Sequence, residues 1–181
     1  MFATLYVPNF YLQATLRHGA VDLPPSSPYP VALIDERAKK PVIIQLNSSA
    51  ESAGVRAGMT PSQALARCLS LLIKPRSAAQ EKSAQEIVLE QAFTLTPWVE
   101  ATGPGLCTVQ FTDTRDLVAK VSRVITRLAS CQLAAQGGLA PAPDTSFLAA
   151  HLARPVLQIE DAEQFLAPLP IEILTLRLDI A

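Results

Sequence analysis

Residues 21–30, VDLPPSSPYP, place four prolines and two serines in ten positions. Each proline removes a backbone N–H donor and pushes its predecessor away from helical geometry, so this stretch must be a loop. It divides the chain early. Before it, FATLYV (2–7) is a run of β-formers, and residues 10–18 can continue as a helix. The first sixteen residues carry no charged side chain and no acid precedes Asp22. They do not read as a secretory signal, because a basic n-region is missing and Pro8, Asn9 and Gln13 interrupt the apolar run. No stretch reaches the apolar length of a membrane span.

After the break the pattern becomes regular. VALID (31–35) and PVIIQL (41–46) form a hairpin around the charged turn ERAKK. In 47–68, NSSAESAGVRAGMTPSQALARC, a short helix stops at Gly54, and a second starts at a capping box, with Thr60 as cap, Pro61 at its first position and Gln63 three residues on. LLIK (71–74) is a returning strand. Ser77 and Gln80 supply another capping box for a helix over 78–94, whose Ala84, Ile87, Val88 and Ala92 share one face. TPWVEA (96–101) and GLCTVQFT (105–112) pair around Gly103-Pro104-Gly105, with the charge-free second strand central. A helix over 115–129 places Leu117, Val121, Val124 and Leu128 at helical spacing. The pattern further predicts a strand at 131–136, a helix after an Asp144 or Thr145 cap, a strand at 156–159 and a short helix at 161–166. With residues 13–75 set aside as an insert, the order is the βαββαβ of a ferredoxin-like α+β domain. That fold serves many functions.

Charge and cysteine content narrow the chemistry. The formal net charge is −1 and 17% of residues are charged, so no polybasic footprint exists. DNA would be met only through small groups, such as Arg37, Lys39 and Lys40 or Lys74 and Arg76. Cys68, Cys107 and Cys131 are odd in number and scattered, which argues against disulfides and metal clusters and for buried thiols in a reducing compartment. Trp98 is expected in the core, with a partner contact as the alternative. No phosphate loop or cofactor fingerprint appears, and no cofactor is expected.

Several landmarks fall in one order: strand-Phe10-Tyr11-helix, a hairpin, N-x-x-A-x-x-A-G-V-R-A-G-M at 47–59, P-W-V-E at 97–100 and G-L-A-P at 138–141. Over residues 1–170 this resembles the palm and fingers of Y-family translesion DNA polymerases, and DAEQFLAPLPIEIL (161–174) looks like that family's entry into the thumb. The resemblance implies a palm-like domain of 1–12 and 76–160, a fingers-like insert at 13–75 and the start of a thumb-like region at 161–181, the chain being a truncated form. The TPWVE stretch and the missing acids look most like the ImuB-type, polymerase-like proteins of bacterial SOS mutagenesis.

Such polymerases hold two Mg²⁺ ions on carboxylates. Matched on the landmarks, the family's acids fall on Tyr6, Gly105 and Leu106, and its triphosphate contacts fall on Ser48, Glu51 and Pro143. None can replace its counterpart. Tyr11 alone keeps the place of the residue that excludes a ribose 2′-OH. The resemblance therefore implies a noncatalytic protein without a metal site, cytoplasmic, acting in DNA damage tolerance as an adaptor for an error-prone polymerase. Its implied partners are weakly and non-specifically bound DNA, the sliding clamp, an error-prone C-family DNA polymerase and a RecA-like accessory protein. The alternatives are an active translesion polymerase with displaced acids, such as Glu100 and Asp113, and a small-molecule-binding domain.

Overall fold

The charge-free opening of the chain becomes strand β1 (Phe2–Tyr6), the middle strand of a five-stranded sheet. The computed structural model describes residues 1–17 and 29–170, together with 173. The chain forms two units, Met1–Pro8 with Ala84–Ala181, and Asn9–Ser83. The proline-rich loop expected at 21–30 lies, up to residue 28, outside the described residues, as does most of 171–181.

The Asn9–Ser83 unit starts with α1 (Phe10–Leu16), every residue of which is buried. Strands β2 (Val31–Ile34) and β3 (Ile43–Leu46) pair antiparallel, as the spacing predicts. Helix α2 (Ser48–Ser52) is capped by Asn47 and ends ahead of Gly54 at φ 86°, a left-handed position that glycine adopts without steric cost. Helix α3 (Pro61–Arg67) carries the complete capping box of Thr60 and Gln63. Strand β4 (Leu72–Pro75) then joins β2 in parallel, giving the order β3-β2-β4. Ala32, Ile43, Ala50, Val55, Ala64 and Leu71 form this unit's core.

The chain continues through α4 (Ala78–Phe93), β5 (Val99–Gly103), β6 (Leu106–Gln110), α5 (Leu117–Ser130), β7 (Gln136–Ala140), α6 (Pro143–Leu152), β8 (Val156–Gln158) and α7 (Ala162–Leu166). The sheet order is β5-β6-β1-β7-β8, with β1 antiparallel to both β6 and β7. Without β8 this is the ferredoxin-like arrangement, so the expected α+β class is observed. Helix α4 buries Ala84, Val88 and Ala92 and exposes Glu86 and Glu90, the faces its spacing predicts. A Cβ on Gly137 would lie 2.6 Å from Val121 of α5, and one on Gly138 only 2.2 Å from backbone atoms of Ser146 and Ala150 in α6. Successive strand residues point to opposite faces, so α5 and α6 cover opposite sides of β7.

Three expectations are corrected. The strand predicted at 131–136 is instead Gln136–Ala140. Residues 131–133 make a turn in which Gln132 takes φ 61° and Leu133 N–H donates to Leu128 C=O. The two glycines that lower strand propensity here are what allow a helix on each face. Helix α6 starts at Pro143 after Ala142, rather than after Asp144 or Thr145, because proline is preset for a first helical position and Thr145 is buried inside the helix. Trp98 is 64% exposed rather than core, since it precedes β5, an edge strand with a neighbour on one side only. Cys68 and Cys107 are buried as expected, and Cys131 is partly so.

Candidate functional site

Three positions that the resemblance assigns to catalytic acids meet at one end of the larger sheet. Tyr6 closes β1, lies directly opposite Leu106 of β6, and has Gln136 of β7 on its other side. The Val7 N–H donates to Gly105 C=O at 2.8 Å. Gly105 takes φ 68°, and its own N–H donates to the Gln85 side chain at 2.7 Å. The turn's left-handed position is thus tied to α4.

Aromatic packing fills this junction. The Tyr6 ring stacks on His151 of α6 with centroids 4.0 Å apart and planes 22° apart, and His151 meets Phe147 at 4.3 Å. His151 Nδ1 contacts Phe147 C=O at 2.9 Å, which assigns the proton of the neutral ring to Nδ1. Burial pushes the His151 pKa down, against a smaller upward pull from that carbonyl. Leu106 is buried. One step further along β1, Thr4 Oγ1 lies 2.8 Å from Ser146 Oγ and 3.2 Å from Thr108 Oγ1, while Ser146 Oγ donates to Pro143 C=O. These hydroxyls satisfy one another under α6. Pro143 sits at the helix start with no side-chain donor to offer a phosphate.

The Asn9–Ser83 unit holds the remaining positions. Tyr11 is buried in α1, edge-on to Phe10, and the Arg76 guanidinium lies 3.9 Å above its ring. Arg76 also donates twice to Glu81, at 2.8 and 2.9 Å, and approaches Asp35 at 3.8 Å. A planar guanidinium suits both contacts at once. Asn47 Oδ1 accepts from Val31 N–H and Ala50 N–H, and its Nδ2 donates to Tyr29 C=O, so it joins hairpin and helix. Ser48 and Glu51 lie in the short helix it caps, both exposed.

The other acids are dispersed. Glu100 is exposed on edge strand β5. Asp113 is held by Arg115 at 3.0 Å and Lys120 at 3.7 Å, and the Arg115 hydrogen bond brings its pKa down to about 2. Among the described residues no three His, Cys, Asp or Glu side chains gather as a metal would require. Burial pushes the Cys107 thiol up to about 12, leaving it protonated and unreactive. Arg37, Lys39 and Lys40 are exposed in their turn. No helix among the described residues is long and apolar enough to cross a membrane.

Sequence reasoning missed His151, Phe147 and the Arg76 clamp. The spacing Phe147-x-x-x-His151 puts both rings on one helix face, but nothing local says that β1 lies beneath.

Comparison with known proteins gives a consistent result. The model of the impB/mucB/samB family matches residues 5–150. A search of curated proteins gave no match. Among solved structures, a post-insertion binary complex of Dbh DNA polymerase is similar at TM-score 0.82 and 14% identity, covering 95% of this chain and 52% of that one. The Y-family DNA polymerase chimera Dbh-Dpo4-Dbh is similar at TM-score 0.76 and 15% identity, covering 95% and 53%. DinB from Sulfolobus solfataricus is similar at TM-score 0.74 and 14% identity, covering 96% and 53%. The present chain spans about half the length of these structures.

Proposed function

Since the chain belongs to the impB/mucB/samB family and carries the palm-and-fingers fold of Y-family polymerases, we propose that it is a noncatalytic member of that family, an ImuB-type adaptor in DNA damage tolerance. In this reading residues 1–12 and 76–160 are the palm, 13–75 the fingers and 161–181 the start of the thumb. The separate five-stranded and three-stranded sheets support that division.

The observation that carries the reading is the stack of Tyr6, His151 and Phe147, with Leu106 buried opposite, where strand ends converge. A two-metal phosphoryl-transfer site needs carboxylate oxygens converging on two ions about 4 Å apart, and hard cations accept little else. Tyr6, Gly105 and Leu106 supply no such oxygen, so the residues do not fit Mg²⁺ and no reaction step is assigned to it. Ser48, Glu51 and Pro143 likewise offer no cation to a triphosphate, and Glu51 would repel one. Tyr11 is a packed aromatic under Arg76 rather than a working sugar gate.

DNA binding by this chain would be weak, indifferent to base sequence and steeply salt-dependent, because the exposed cations form small groups that neutralise few phosphates. The sliding clamp, an error-prone C-family polymerase and a RecA-like protein are the partners proposed for such a cytoplasmic adaptor.

Primer extension tests the reading. Purified protein with primer-template, all four deoxynucleotides and Mg²⁺ is expected to give no product. Extension that is abolished by chelation, and that survives removal of contaminating polymerases, would instead establish an active enzyme with displaced acids such as Glu100.

A further inference from the structure

A groove of about 230 Å³ opens in the unit that carries the larger sheet, lined by Thr94 and Leu95 just beyond α4 and by Lys120, Arg123, Val124 and Arg127 of α5. The four α5 residues recur at i, i+3, i+4 and i+7, so they share one helix face. Val124 is buried and makes an apolar floor with Leu95, while Arg123 and Arg127 are exposed at the rim. Lys120 approaches Asp113, but among the described residues neither arginine has a carboxylate partner. Arg123 turns only its Nε toward the Ala119 carbonyl, at 3.4 Å.

Like charges at i and i+4 destabilise a helix by a few tenths of a kcal/mol. Here two arginines and a lysine crowd one face of a chain whose net charge is −1. An anion seated among them would relieve that repulsion and gain paired hydrogen bonds from each guanidinium.

We propose that this groove docks an acidic peptide segment of a protein partner, one with carboxylates flanking a single apolar side chain. The carboxylates meet Arg123 and Arg127, and the apolar side chain seats on Val124 and Leu95. A nucleic-acid backbone fits less well. The groove admits one or two side chains rather than a track of phosphates, and its floor is apolar. The proposal does not depend on whether the chain catalyses anything.

Fluorescence anisotropy of the intact chain tests it, with a fluorescein-labelled peptide of four aspartates around one leucine. Its asparagine counterpart and a labelled oligothymidylate of similar length serve as comparison probes. Saturable binding of the acidic peptide is expected, at least tenfold weaker in the Arg123→Glu/Arg127→Glu double variant. Reversal of Lys39 and Lys40 to Glu should leave it unchanged. Arg127→Gln should give an intermediate loss with an unchanged unfolding midpoint, which separates docking from folding. Absence of saturable binding, equal affinity for the asparagine peptide, or equal loss on reversing Lys39 and Lys40 would overturn the proposal. So would tighter, Arg123-dependent binding of the oligothymidylate, which would make the groove a nucleic-acid site.

Discussion

Two tyrosines are held in different ways in the two units. Tyr6 stands where the proposed reading places a missing acid, and its ring is held by other rings, His151 and then Phe147. Tyr11 stands where the proposed reading keeps the aromatic, and its ring is held by a charge, the Arg76 guanidinium with Glu81 and Asp35 behind it. The first arrangement is sealed by a helix seated on glycine. The second is sealed by an ion-pair network at a partly exposed surface. In each, packed side chains hold the fold, and the two seals differ in which change would open them.

The sharpest way to break the comparison is at the glycines. Gly138→Ala would set a methyl 2.2 Å from the α6 backbone, which cannot yield as a flexible side chain would. A loss of about 3 kcal/mol or more is expected, at the severe end of overpacking costs. Gly54→Ala meets nothing within 4 Å and suffers only from its φ of +86°. Its cost should be about 1 kcal/mol. Urea unfolding of both variants measures the difference, and equal losses would mean that α6 does not rest directly on β7.

Arg76→Ala should cost about 2 kcal/mol, combining the lost charge-assisted hydrogen bonds to Glu81 with the lost contact to Tyr11. Arg76→Lys should restore less than half of this in the same unfolding assay, because an ammonium cannot lie flat on a ring and grip a carboxylate with two donors together. Full rescue by lysine would reduce the clamp to simple charge attraction. In the other unit, Tyr6→Asp should cost a comparable amount, about 2 kcal/mol, by exchanging a stacked ring for a carboxylate beside buried Leu106. It should also give no Mg²⁺-dependent primer extension, since one acid does not make a two-metal site. Nucleotide incorporation by that variant would show that the junction lacks only a single oxygen ligand.

The contrast also explains what the sequence could say. Local signals with their own chemistry were legible: the Thr60 and Gln63 capping box, the Gly54 stop, the hairpin at 31–46 and the amphipathic faces of α4 and α5 all appear as read. The strand at 136–140 was not, because Gly137 and Gly138 look like a turn until α5 and α6 are known to press on both sides. Trp98 is exposed because β5 is an edge strand, which only sheet order reveals. For the site, matched landmarks singled out Tyr6 and Leu106, but their pairing depends on sheet order, and the packing of His151 on Tyr6 is a contact 145 positions away in sequence, between β1 and α6. By sequence alone, Arg76 is one of a small group of cations with Lys74. Its engagement with Glu81 depends on where α4 begins, and that with Tyr11 on long-range packing.

The smallest effect expected is a pH dependence confined to the Tyr6 side. Burial lowers the His151 pKa in the folded chain below its ordinary value near 6.5. The unfolded chain therefore binds more protons once the pH falls below about 6.5, and by linkage the stability drops as pH falls from there toward the folded value. Above about pH 7.5 both states hold a neutral ring and the contribution is constant. His151→Phe keeps a ring against Tyr6 but removes the titration. Unfolding midpoints of the native chain and this variant should therefore converge as pH is lowered from 7.5 to 5.5, with the variant losing less. Groups common to both proteins cancel in that difference. An unchanged gap across the window would mean that the imidazole takes up its proton as readily in the stack as in water, and that the seal over the junction is open to solvent.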